Sequence, residues 1–262
     1  RPGPMIDRRS ALFLGFVASA GAVQARAMVP RAPPAPAKSF VTVPGGGGVP
    51  LNVLETGDPA GPEILFIHGM SGSYLTWLPQ LEAPELAHCR MVAFDMRGHG
   101  GSAKPWRTQD YAGSQVWADD VAAVVAAKSL KRPVIAAWSF GGHVSLAYVR
   151  HYGLEHVGAV NLTGTLAGLH AVDHSLPSAA YQATAAASKL RSSLDLEENI
   201  EGYRRMALGY APRPLPPRVA EFAYLSGLLH PAYARRALKD LPLQNADLLP
   251  GLKVPVLLSG GD

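Results

Sequence analysis

"IAAWSFGGH", Ile135 to His143, sets one serine between an apolar run and a pair of glycines. The run begins at Arg132-Pro133-Val134 and has the composition of a strand covered on both faces. From Gly141 the pattern turns helical and continues to Gly153, a residue suited to a helix end. The serine therefore occupies a strand-to-helix turn of the form small-x-Ser-x-Gly: Ala137, Trp138, Ser139, Phe140, Gly141. In a nucleophile elbow this turn is strained, and the residues two before and two after the serine must be small to clear one another. Ala137 departs from the commoner glycine but is still small. The hydroxyl would stand above the carboxyl edge of a sheet at a helix N-terminus, where the dipole and unpaired N–H groups favour developing negative charge. A helix N-cap serine fits the same local chemistry, so the motif alone leaves both readings open.

Working outward, residues 39–43 alternate as a strand and 49–57 as a second, with Gly45–Gly48 between them predicting a flexible hairpin. Apolar runs at 63–69 and 90–98 predict buried strands, with a helix around 73–87 interrupted by Pro79 and Pro84. Trp117, Val121, Val124 and Val125 fall on one stripe of a helix over 114–129, with Asp119 and Lys128 free to point outwards. A further strand is expected over 157–165. Strands alternating with helices predict an α/β fold with a mostly parallel central sheet flanked by helices. Residues 166–248 break the rhythm with helical and proline-rich text and read as an inserted helical cap or lid. A buried strand is expected to return at Val254–Leu258, so 39–165 forms the core and 249–262 rejoins it.

Two further motifs make the pattern specific. "LFIHGM" (65–70) ends one strand on His68-Gly69, and "FDMRGHGGS" (94–102) ends the next with Asp95-Met96-Arg97-Gly98-His99-Gly100. His-Gly, then Asp-x-Arg-Gly-x-Gly-x-Ser, then the elbow: this ordered set resembles the α/β-hydrolase superfamily, nearest its esterase, haloperoxidase-like and carbon–carbon hydrolase branch with a helical cap. The resemblance is dense over 39–165 and weak over 250–262. It implies Ser139 as nucleophile and the backbone N–H groups of Met70 and Phe140 as the oxyanion hole, where loss of one donor costs about 3 kcal/mol. Ala137, Gly141, His68 and Gly69 would shape the elbow and loop, with His68 a loop residue rather than a base. Asp95, Arg97 and His99 would brace the loop after their strand, since buried charges persist by pairing. Because Ser139 holds the nucleophile position, an Asp-nucleophile dehalogenase or epoxide hydrolase is disfavoured.

The resemblance also demands an acid and then a histidine, in that chain order. His68, His88 and His99 precede the elbow; His143, His151 and His156 lie on or just after its helix; His170, His174 and His230 fall in the cap. None follows "KVPVLLSGGD", the last ten residues. His143, four residues past Ser139, is expected one helical turn down and away from the mouth. Family spacing sets the acid about two residues past Asp262, so Asp262 reads as its neighbour, or as the acid itself if the loop is shortened. On this reading the chain breaks inside an active site, and the 262-residue form is expected to be inactive and marginally stable.

Composition bounds the rest. With 48% hydrophobic and 17% charged residues the chain reads as globular. Arg1, Arg8, Arg9 and Arg26 against Asp7 supply +3 of the net +4 within the first 27 residues, leaving no basic face for nucleic acid in the folded part. Arg8-Arg9, an apolar stretch from Ala11 to Val23 and Ala25-Arg26-Ala27 form the tripartite layout of a twin-arginine export signal over 1–27. A Pro/Ala-rich linker follows at 28–38. Export to a bacterial periplasm or medium is expected, with no stable membrane span after signal removal. The single cysteine, Cys89, excludes an internal disulfide framework and a Cys-based zinc cluster. No metal or organic cofactor is implied. The expected partner is a small-molecule ester or related acyl substrate, handled through an acyl-enzyme. Two alternatives stand beside this reading: a non-catalytic ligand-binding or inactive product on the same fold, and a cofactor-free haloperoxidase or carbon–carbon hydrolase.

Overall fold

A computed structural model describes residues 37–165, 167–169, 186–209, 215–238, 241 and 244–260. The export-signal reading, most of the linker and Asp262 lie outside these residues. Seven strands form one sheet: β1 (Ser39–Pro44), β2 (Pro50–Gly57), β3 (Glu63–Ile67), β4 (Arg90–Phe94), β5 (Val134–Trp138), β6 (Ala159–Thr163) and β7 (Val256–Ser259). Their spatial order is β1-β2-β4-β3-β5-β6-β7. The β1–β2 and β2–β4 pairs are antiparallel and every other pair is parallel. The helices in chain order are α1 (Leu78–Leu81), α2 (Gln115–Ala127), α3 (Phe140–Tyr152), α4 (Leu196–Gly209), α5 (Pro217–Leu228) and α6 (Ala232–Ala237), with residues 186–191 also helical.

The apolar runs divide between the two faces with the period of two that a strand imposes. Leu65 and Ile67, Val92 and Phe94, and Ile135 and Ala137 join a core with Trp117, Val121 and Val124 of α2 and Val144 and Tyr148 of α3. Phe66, Met91, Ala93 and Ala136 turn to the opposite face and pack with Trp77, Leu81 and Cys89. Between residues 73 and 87 the two prolines shorten the expected helix to the four residues of α1, flanked by single 3₁₀ turns at Tyr74–Trp77 and Pro84–Leu86.

Two expectations are corrected. The glycine hairpin is tied down: Gly46 N–H donates to Asp120 Oδ1 at 2.9 Å, and Gly46 O accepts from Arg97 Nη2 at 2.9 Å. Glycine is used there for shape, since Gly47 and Gly48 take φ of 66° and 77°. The returning strand is also less buried than its apolar text predicts. β7 pairs in parallel with β6, yet Leu257 and Leu258 are 60% and 55% exposed, because among the described residues little packs on its faces.

Register places the site. Ile67 of β3 pairs with both Phe94 of β4 and Ala137 of β5, so three strands end level. His68, Asp95 and Ser139 therefore leave the sheet along one carboxyl edge, where open parallel sheets bind ligands.

Candidate active site

Ser139 holds φ 52° and ψ −119° between β5 and α3, a conformation that L-residues adopt only at a cost of about 1–3 kcal/mol. Its side chain makes no capping hydrogen bond to α3, which removes the N-cap reading. Backbone bonds hold the turn: Ser139 N–H donates to Thr163 O at 3.1 Å, and Ser139 O accepts from Gly142 N–H at 3.0 Å. Phe140 is the first residue of α3, so its N–H is one of the four that an α-helix leaves without an internal partner.

The small residues around Ser139 have a reason that the motif conceals. A Cβ on Gly141 would lie 2.4 Å from Ile67 O and 2.6 Å from His68 O, so the constraint comes from the end of β3. Ala137 is fully buried in the sheet. Gly69 is constrained in turn by the elbow, since a Cβ there would meet the Trp138 ring at 2.6 Å and Ser139 Cβ at 3.1 Å. Glycines at 69 and 141 thus let the His-Gly loop and the elbow lie against each other, with Met70 and Phe140 on either side of the contact.

The His-Gly loop closes as a tight turn with Gly72 N–H donating to Gly69 O at 3.0 Å and Ser71 at φ 63°. His68 is fully buried; its Nδ1–H donates to Gly69 O at 2.7 Å and its Nε2 accepts from Met96 N–H at 3.0 Å. Both ring nitrogens are thus committed to shaping loops. Asp95 accepts from Tyr74 N–H, Gly101 N–H and Asn52 Nδ2 at 2.7–2.9 Å. Arg97 pairs with Asp120 at 2.7 Å, both about 2% exposed. His99 Nδ1–H donates to Arg97 O at 2.9 Å. These three side chains brace the loop after β4.

A cavity of about 620 Å³ lies over Ser139. Met70, Trp138, Phe140 and His143 line it from the sheet edge, Leu75 and Leu78 from the segment after β3, and Met206, Leu215, Val219, Phe222 and Ala223 from the insertion between β6 and β7. The walls are mainly apolar, with Arg191, Arg235 and the Arg218–Glu82 pair as the charged exceptions. His143 corrects an expectation: one turn into α3, it still reaches the cavity, because the insertion extends the chamber over the start of that helix. The cluster that sequence reading missed is Ser71, Tyr203, His230 and Arg235, all buried and hydrogen-bonded. Their separations of 132–164 residues leave no local signal. Among the described residues no group of three or more His, Cys, Asp or Glu is placed to hold a metal ion. No helix there is long and apolar enough to cross a membrane.

Strained serine, level strand ends and covering helices together define an α/β hydrolase, and residues 62–196 match the alpha/beta hydrolase fold family. The chain belongs to that family. A Burkholderia cenocepacia protein described as a candidate aryl esterase superposes with a TM-score of 0.76 at 30% identity, covering 85% of this chain and 79% of its own. The esterase RhEst1 of Rhodococcus sp. ECU1013 gives a TM-score of 0.70 at 26% identity, covering 85% and 80%. In sequence, the AB hydrolase superfamily protein YisY of Bacillus subtilis is 32% identical over 96 residues, 36% of this chain and 35% of its own. Such matches span about a third of the length of the curated relatives.

Proposed function

We propose that the chain carries the nucleophile of a serine hydrolase that cleaves esters or related acyl compounds. The observation that carries the reading is Ser139 itself: strained, uncapped, and opening on a mainly apolar cavity. Its Oγ attacks the acyl carbon, the carbonyl oxygen gains negative charge between the N–H groups of Met70 and Phe140, and the alcohol departs to leave an acyl-enzyme. Water then releases the acid. A histidine must take and return the serine proton, with an acid to orient it. Asp262 is the candidate for that acid or its neighbour. The apolar walls favour an uncharged substrate of modest size. The ester class is supported by two similar solved structures, one named as an esterase and the other as a candidate aryl esterase. Export through a twin-arginine signal belongs to the same proposal, and Edman sequencing of the protein from a periplasmic fraction would test it.

The deciding experiment treats the full-length gene product with a fluorophosphonate and maps the adduct by mass spectrometry. Ser139 is expected to carry the label, and Ser139→Ala to lose both label and about 10⁴-fold or more of ester turnover. An unlabelled enzyme that still turns over ester would overturn the assignment.

A further inference from the structure

Ser71 occupies a turn position that favours glycine. A φ of 63° at the third residue of the Gly69–Gly72 turn costs a side-chain-bearing residue roughly 1–2 kcal/mol. Yet its hydroxyl is only a few ångströms from three side chains of the insertion. Ser71 Oγ lies 2.9 Å from His230 Nδ1, 3.2 Å from Arg235 Nη1 and 3.3 Å from the Tyr203 hydroxyl. Tyr203 donates to His230 O at 3.3 Å.

One arrangement of protons satisfies all four contacts. Arg235 and neutral His230, through Nδ1–H, donate to the two lone pairs of Ser71 Oγ. Ser71 O–H donates to Tyr203, and Tyr203 O–H donates to the His230 carbonyl. The ring of His230 is packed in place by His99, stacked at 3.9 Å between centroids. Tyr203 comes from α4, His230 from the link between α5 and α6, and Arg235 from α6. Three separate parts of the insertion therefore converge on one hydroxyl of the sheet-edge loop.

That hydroxyl is one residue from Met70. On the other side of Met70, His68 holds Gly69 O and the backbone of Met96. We propose that Ser71 is a positioning residue for the oxyanion hole: through His230, Arg235 and Tyr203 it anchors the far side of the Met70 peptide, so the insertion helps build the catalytic edge as well as covering it. This rests on the reading of Ser139, Met70 and Phe140 given above. A donor aimed at a developing oxyanion acts through its fixed position, so a loosened loop should weaken transition-state binding more than substrate binding.

Ser71→Gly separates this role from a purely structural one, because glycine suits the backbone at this φ and removes the hydroxymethyl group that holds the three insertion side chains. In the full-length protein, kcat for a p-nitrophenyl ester and the rate of fluorophosphonate labelling at Ser139 are expected to fall about 10- to 100-fold, with KM within about twofold and the melting temperature held. Tyr203→Phe, which deletes one oxygen of the circuit, should show a several-fold loss in kcat of the same kind, and serves if Ser71→Gly does not fold. Wild-type kcat and labelling rate in the folded variant, or a change confined to KM, would overturn the proposal while leaving Ser139 as nucleophile. Absence of label on Ser139 in the wild type would overturn the nucleophile reading, and the positioning role with it.

Discussion

Gly141 shows that the need for a small residue two positions past Ser139 has a cause outside the turn. Smallness two residues past the serine was expected from crowding within the turn, but the atoms that a Cβ at Gly141 would strike are the carbonyls of Ile67 and His68. Those carbonyls are main chain and cannot rotate aside. Gly141→Ala is therefore expected to destabilise the fold by about 1–3 kcal/mol, as overpacking does, and to depress the proposed ester turnover by shifting the elbow against the His-Gly loop. Urea denaturation beside a kcat measurement checks both, and an alanine variant with native stability and turnover would show that the contact relaxes freely.

Among the elements, α2 and the glycine turn are joined through one buried ion pair. Arg97 donates Nε and Nη2 to the Asp120 carboxylate at 2.7 Å each, and its remaining donors reach Gly46 O and Asp110 O. The pair fastens the loop after β4 to α2 and to the β1–β2 connection. Replacing it with apolar groups of equal volume need not cost stability, but removing one partner strands a buried charge. Asp120→Ala is expected to lose about 3–5 kcal/mol, read from the shift in urea midpoint at constant slope. A loss below about 1 kcal/mol would mean that water or another group reaches the guanidinium. The elements themselves were largely legible: β1 to β6, α2 and α3 follow from alternation, helical stripes and glycine ends. β7 was legible as a strand but not in its exposure, because an apolar run does not reveal what packs against it.

Across the whole molecule, His68, His99 and His230 form a buried column from the sheet edge into the insertion, with His68 edge-on to His99 and His99 stacked on His230. Burial, before any charge, pushes all three imidazoles below their usual range. Asp95 and the Gly69 bond partly oppose this at His68, and the Arg97 carbonyl at His99; the neighbouring histidines reinforce it at His99 and His230, as do Lys104 and Arg235 at His99 and Arg235 and Arg191 at His230. The unfolded chain takes up these protons near pH 6.5 while the folded one refuses them, so below that pH the unfolded state binds more protons. Stability is therefore complete above about pH 6.5 and declines as the pH falls, by up to about 1.4 kcal/mol per pH unit for each histidine. Denaturant midpoints at pH 7.5, 6.5 and 5.5 should show the decline over the lower interval, above the range where Glu55 and Glu82 begin to protonate. Equal midpoints at pH 7.5 and 5.5 would contradict a neutral column.

By itself the sequence determined the sheet, the strand-to-helix serine and the loop motifs, because alternation, glycine placement and short-range turns are local and repeat every few residues. It did not determine how the insertion meets the edge. Tertiary structure alone brought His143 into the cavity and set Tyr203, His230 and Arg235 around Ser71, since the Ser71 contacts join residues more than 130 positions apart and both arrangements depend on packing rather than pattern.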